Sequence, residues 1–423
     1  MTKAFLGSVA VAALLAGQAQ AADIPVKAPP RAAVTTTWAG FYIGAHVGYG
    51  YANSAVSLPD TAIDGRIIGA GSKGWVAGGL AGYNVMLSPR WVGGIEADGS
   101  WQNITTKAQI FEGAELKGSL DWSASARARL GYLLTPTTMV FATAGWSWSA
   151  MKLTNNFGFD GFRFSSSISG PQAGFGIETM YAENWIVRTE YLHSFYERKE
   201  FVSEFPGTFT LSPWVGVIRT AVIYKPGPST STAWPDRAPN PVWAGLYAGG
   251  LLGPLMANAK LSAPSEAVSV NGIGVTAFVP SLVVGYNLLL APRWLAGVEG
   301  EIAPNVSASD VKIEWTGAAR VRAGYLVTPT VLTYGSVGWG TAGIKNVTHS
   351  GLNIPIERVH GFGYGTGIEA AVSDRWRLRA DYQYYWTKTI DLTLPGAFPA
   401  IPATAKATAQ TARLGAIYAF GSP

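Results

Sequence analysis

One series of short motifs runs through this chain twice, in the same order. Trp38-Ala39-Gly40-Phe41-Tyr42 returns as Trp243-Ala244-Gly245-Leu246-Tyr247, and Gly82-Tyr83-Asn84 returns as Gly285-Tyr286-Asn287. Pro89-Arg90-Trp91 with Glu96 returns as Pro292-Arg293-Trp294 with Glu299. Arg127-x-Arg129-x-Gly131-Tyr132, followed by Thr135-Pro136-Thr137, matches Arg320-x-Arg322-x-Gly324-Tyr325, followed by Thr328-Pro329-Thr330. Gly176-Ile177-Glu178 and Trp185 answer to Gly367-Ile368-Glu369 and Trp376, and Arg219 to Tyr224 answers to Arg413 to Tyr418. The offset drifts only between 191 and 205 residues. A repeat of that length is a duplicated domain, since solenoid repeats run to ~20–50 residues.

Within a copy the matched blocks alternate. Trp91, Gly93, Ile95 and Ala97 share one face of an extended segment and Glu96 and Asp98 the other. Ala124, Ala126, Ala128 and Leu130 oppose Ser125, Arg127 and Arg129, and Arg188 and Glu190 share one face of the segment from Trp185. Period-two alternation marks strands. Eight are expected per copy, joined by tight turns at Ser88-Pro89-Arg90, Thr135-Pro136-Thr137 and Ala182-Glu183-Asn184, and by longer polar loops near 52–73, 105–118, 154–163 and 198–210. Short turns alternating with long loops are the pattern of an outer-membrane barrel, and Trp38, Trp91, Trp122, Tyr132, Trp185 and Tyr224 lie beside the tight turns or chain ends as an aromatic girdle would.

Composition sharpens this. Charged residues are 13% of the chain, about half the ~25% of soluble domains, yet no mature segment reaches the ~18 uninterrupted apolar residues of a spanning helix. A membrane barrel reconciles the two, because alternation hides its lipid face from a hydropathy scan. Lys3, the apolar stretch Ala4 to Ala16 and Ala19-Gln20-Ala21 read as a signal peptide over residues 1–21. With no cysteine, disulfides, thiolate metal sites and cysteine nucleophiles are excluded. A formal charge of +5 with no basic run leaves no nucleic-acid footprint.

The expected organisation is a Pro-rich periplasmic segment at 22–35, a first barrel unit at 36–226, a Pro-rich linker at 227–240 and a second unit at 241–423. The linker favours two eight-stranded barrels. A hairpin inside one barrel would need only a few residues; a single sixteen-stranded barrel stays open as the alternative.

The Trp-x-Gly-x-Tyr, Gly-Tyr-Asn, Arg-x-Arg-x-Gly-Tyr and Gly-x-Glu-plus-Trp motifs resemble the small outer-membrane β-barrel family of alphaproteobacteria, whose members are described as porin-like, surface-antigen or hemin-binding proteins. The resemblance covers both copies. It implies one eight-stranded barrel per copy, a structural or surface role and no established enzymology; most members look like one barrel, so the tandem pair departs from the pattern. Arg413-x-Gly415-x-x-Tyr418-x-Phe420 resembles the C-terminal signal read by the barrel-assembly machinery, although Gly421-Ser422-Pro423 follows. The first copy has Ala221 and Pro226 where the second has Gly415 and Phe420, and one signal for the whole chain is what a single fused barrel needs.

The recurring charges are the main candidate site: Glu96, Asp98, Arg127, Arg129, Glu178, Arg188, Glu190 and Arg219, with Glu299, Glu301, Arg320, Arg322, Glu369, Arg379, Asp381 and Arg413. An eight-stranded lumen is just wide enough to be filled by side chains, so these charges are expected to pair as a plug, the alternative being an ion-selective constriction. His349 and His360 flank an expected surface loop and are the only weak heme candidates; otherwise neither cofactor nor metal is expected. His46 lies on the first strand without a Ser-containing motif, and no hydrolase or nucleotide motif occurs, so no enzyme is expected. The expected partners are outer-membrane lipid and the assembly machinery, with lipopolysaccharide, a host surface or heme as further candidates. The function expected is a structural, surface-exposed outer-membrane protein; a porin and a heme or adhesion receptor are the alternatives.

Overall fold

A computed structural model describes residues 37–58, 65–111, 114–156, 163–182, 184–201, 209–227, 240–266, 268–308, 311–349, 352–354, 358–394 and 401–421. The expected signal peptide, the expected Pro-rich segment at 22–35 and most of the expected linker lie outside the described residues. The first copy forms β1 (Gly40–Leu58), β2 (Gly65–Met86), β3 (Trp91–Phe111), β4 (Ala114–Thr135), β5 (Thr138–Asn155), β6 (Arg163–Ala182), β7 (Trp185–Phe195), the short β8 (Lys199–Phe201) and β9 (Phe209–Tyr224). The second forms β10 (Gly245–Ala263), β11 (Val268–Ala291), β12 (Trp294–Ala308), β13 (Val311–Thr328), β14 (Val331–His349), β15 (Leu352–Ile354), β16 (Arg358–Ala371), β17 (Trp376–Thr387), β18 (Ile390–Leu394) and β19 (Ile401–Ala419).

The pairing decides the architecture. Tyr224 of β9 pairs with Ile43 of β1, and β1 pairs on its other side with β2. β10 pairs likewise with both β11 and β19. Among the described residues the ladders therefore close two antiparallel rings of eight long strands, and the sixteen-stranded alternative falls. Closure within a copy satisfies every edge locally, as lipid demands.

The faces are inverted relative to a soluble barrel. Ile95, Leu130, Leu282, Val298 and Val337 point outward and are exposed, whereas the alternate Glu96, Arg129 and Glu299 are buried. On the periplasmic side Trp91 packs on Tyr132, Trp185 on Tyr224, Trp294 on Tyr325 and Trp376 on Tyr418, each pair with ring centroids about 5 Å apart. Ten residues along the same strands stand Trp101, Trp122, Phe195, Trp214, Trp315 and Trp386. Ten residues of tilted strand span roughly 25 Å, the height of an outer-membrane apolar band, so these are the second girdle. Trp122 belongs to this outer girdle, not to the periplasmic one where the sequence reading put it.

Among the described residues the expected loops near 52–73 and 105–118 are largely strand. β1 runs to Leu58 and β2 begins at Gly65; β3 and β4 leave only two residues between Phe111 and Ala114. Pairing continues past the bilayer because each further residue adds a ladder bond while water solvates both faces. Both first hairpins carry a register shift at the equivalent place, Ser54/Ala55 and Ala259/Lys260.

Residues 35–423 form one compact unit, and the two rings meet side by side within it. Ile177, Tyr191, Ala370, Ala380 and Ala412 point outward yet are buried. Ile177 packs with Val331, Ile368, Ala370 and Ala380, and Tyr191 with Met256 and Ala412. Lipid is as apolar as such side chains, so a seam in the bilayer depends on close packing, which small residues permit. Beyond the outer girdle, Ser269 to Asn271 of β11 pair with Lys107 to Gln109 of β3, joining the rings through backbone hydrogen bonds.

Candidate functional site: two plugged lumens

Each lumen is floored by the repeated motifs. Gly40 and Gly245 have φ of +117° and +97°, a region open to glycine, and this turns the chain from the mouth into the first strand. It leaves Trp38 and Trp243 lying across the periplasmic mouth, where their indole nitrogens donate to the carbonyls of Pro136 and Pro329, each at 3.0 Å. The Thr-Pro-Thr turn is thus the receptor for the Trp of the opening motif. Tyr42 and Tyr247 then cross the lumen floor over Gly82 and Gly285, where a Cβ would collide with the phenol. Val92, Leu133, Met139, Ile186 and Ile223 complete the first floor, and Leu295, Leu326, Leu332 and Tyr334 the second.

Above each floor lies the ionic layer. Arg188 reaches Glu96 at 2.6 Å and Glu178 at 2.5 Å. Arg129 holds Glu178 at 2.5 Å, and Arg127 holds Glu96 at 2.6 Å and Asp98 at 2.8 Å. Arg219 bridges Asp98 at 2.9 Å and Glu190 at 2.8 Å. The second layer repeats this: Arg379 joins Glu299 and Glu369 at 2.6 and 2.8 Å, Arg322 holds Glu369 at 2.6 Å, and Arg320 joins Glu299 and Glu301 at 2.5 and 2.6 Å. Arg413 pairs with Asp381 at 3.0 Å and with Glu301. Tyr42 and Tyr247 donate to Glu96 and Glu299 at 2.8 and 2.7 Å, tying floor to layer. All sixteen charged candidates thus fall into two layers, eight in each.

Over the first layer sits an apolar cap including Val76, Ile104, Leu120, Met151, Ile168 and Phe201. The second cap uses smaller side chains, Ala277, Ala303, Ala342 and Ala409 with Leu255, Val279 and Ile313. Ions between two apolar layers are strongly attracted, and each loses its hydration, so a charge left there without an opposite partner is costly.

Arg377 shares the face of Arg379 and is as buried, beneath Trp243 at 5.1 Å and 3.3 Å from Glu369. Its counterpart in the first copy is Ile186, so a search through matched pairs passes over it. The second layer therefore holds five guanidinium groups against four carboxylates. Tyr42, Tyr247 and Gln172, which accepts from Arg127 at 2.9 Å, were likewise missed because neutral residues carry no charge signal.

The histidines divide. His46 Nε2 lies 2.9 Å from Ser100 Oγ inside the lumen, a pairing that strand sequence could not show. Arg219 Nη1 donates toward the same nitrogen at 3.2 Å, which engages the lone pair a general base needs. His360 points outward and stacks on Trp339 at 5.1 Å, at the outer girdle instead of in a loop pocket. His349 pairs through its backbone with Leu352, and its side chain lies outside the described residues. Among the described residues no group of three metal-binding side chains occurs. Gly415 faces inward against Gly250 and Leu251, Tyr418 stands in the periplasmic girdle, and Phe420 packs on Tyr418 at 5.1 Å.

Comparison with known proteins gives one family twice. The family model described as outer membrane protein beta-barrel domain matches residues 9–209 and 241–420. The chain is 33% identical over 202 residues to the 31 kDa outer-membrane immunogenic protein of Brucella melitensis biotype 1, covering 44% of this chain and 83% of that one. It is 34% identical over 184 residues to the 25 kDa outer-membrane immunogenic protein of Brucella canis, covering 42% and 74%. Among solved structures it is similar to a Pseudomonas aeruginosa FadL homologue at 9% identity, covering 90% of each chain with a TM-score of 0.30. A second similarity is to the Yersinia pestis attachment invasion locus protein Ail at 13% identity, covering 43% of this chain and 97% of that one with a TM-score of 0.21.

Proposed function

This chain belongs to the outer membrane protein β-barrel domain family and resides in the outer membrane, and from that premise we propose that it is a closed structural barrel pair that stiffens the envelope and displays paired hairpins at the cell surface. One observation carries the reading: Arg188 meets Glu96 across the lumen at 2.6 Å with both side chains buried, between an apolar floor and an apolar cap. A diffusion pore needs a continuous aqueous path, and a plug of this kind interrupts it at three levels. The relatives' names describe immunogenic outer-membrane proteins, which fits surface display of the hairpins.

Planar-bilayer recording tests this. The purified full chain should give no steady conductance steps at any applied voltage. Large regular steps from the wild type would favour the porin reading.

A further inference from the structure

The outer end of the seam between the rings gathers cations without carboxylate partners. Lys73 of β2 faces outward, two residues beyond Trp75, and donates to Thr408 Oγ1 of β19 at 2.8 Å. Tyr51 meets the same hydroxyl at 3.5 Å. Thr408 pairs directly with the girdle residue Trp386, which fixes its height at the outer girdle. Two residues further out on the same face, Lys406 of β19 stands directly opposite Lys260 of β10. Like charges in direct cross-strand register are unfavourable, and among the described residues none of the three lysines has a carboxylate within ion-pair distance. Gln410, fully buried on that face, also presents an amide nitrogen without a hydrogen-bond partner.

We propose that Lys73, Lys260 and Lys406 form a site for a phosphate group, carried into the seam by a phosphorylated lipid of the outer leaflet. The three lysines lie at or just beyond the outer girdle, the headgroup height at which snorkelling ammonium groups meet lipid phosphates. The phosphate neutralises the Lys260–Lys406 repulsion and bridges the two rings. The acyl chains lie against the outer wall below, beside Trp386 and Trp75. The inference rests on the membrane placement of the barrels and not on their being closed to ions.

The test titrates the purified full chain in zwitterionic detergent with bisphosphorylated lipid A, reading the temperature at which the compact unheated gel band is lost. Saturable protection is expected, with a midpoint about tenfold weaker in Lys260→Gln/Lys406→Gln and in Lys73→Gln, and retained in the three Lys→Arg variants. An unshifted unheated band verifies that each variant folds. Equal protection by dephosphorylated lipid A, or an unchanged midpoint in the Gln variants, overturns the site. Equal protection by inorganic phosphate at the same concentration overturns the lipid as its source.

Discussion

At the scale of single residues, the two copies are a natural comparison of balanced and unbalanced ionic layers. The first layer sets four arginines against four carboxylates; the second adds Arg377 where the first has Ile186. Removing one member of a buried pair leaves its partner charged and alone, at a cost of about 3–5 kcal/mol. Arg379 holds both Glu299 and Glu369, so Arg379→Ala should lose stability in that range by urea unfolding in detergent micelles. Arg377→Ile restores the charge balance and copies an apolar contact the first barrel already makes. It should be neutral or stabilising by about 1 kcal/mol in the same assay, and a loss as large as that of Arg379→Ala would show that Arg377 is an integral member of the layer. The pairing partners themselves were not legible. Glu96 and Arg188 are 92 positions apart, and only closure of the ring brings them to 2.6 Å.

At the scale of elements, each strand carries a depth code. Trp91 and Trp101 mark the two girdles of β3, and Ile95 lies between them on the same outward face, exposed to lipid. A charge at mid-depth costs roughly 2–4 kcal/mol and one near the interface 0–1 kcal/mol. Ile95→Arg should therefore weaken folding into phospholipid vesicles by the larger amount and Trp101→Arg by the smaller, in equilibrium urea titrations. Equal penalties would mean that the bilayer does not sit between these two rings of tryptophan. Strand existence and facing were readable from alternation, because a half-buried strand must alternate whichever face meets water. Strand ends were not. The extracellular hairpins continue as ladder through Ser, Thr and Lys-rich sequence that reads as loop, since the hydrogen bonds sustaining them involve backbone and leave no side-chain pattern.

At the scale of the whole molecule, the seam makes one unit of two rings. Ala412 and Ala380 are outward-facing positions closed off by the neighbouring ring, and a long cationic side chain there would force it away. With a protease site placed between Pro226 and Pro241, the cleaved halves of the folded protein should stay together on unheated gels, and Ala412→Arg should release them. Separation of the cleaved wild type would mean that the linker alone holds the pair. The sequence by itself determined that the chain is an outer-membrane β-barrel and that the unit is duplicated, because alternation, turn chemistry and repeated motifs are local and survive in the order of residues. Whether β9 closes on β1 or continues to β10, which Arg meets which carboxylate, that Trp38 seats on Pro136, and that outward alanines face a second ring instead of lipid were decided only by the tertiary structure. Each depends on contacts between residues far apart in the chain, and the same alternating pattern is compatible with more than one way of closing the sheet.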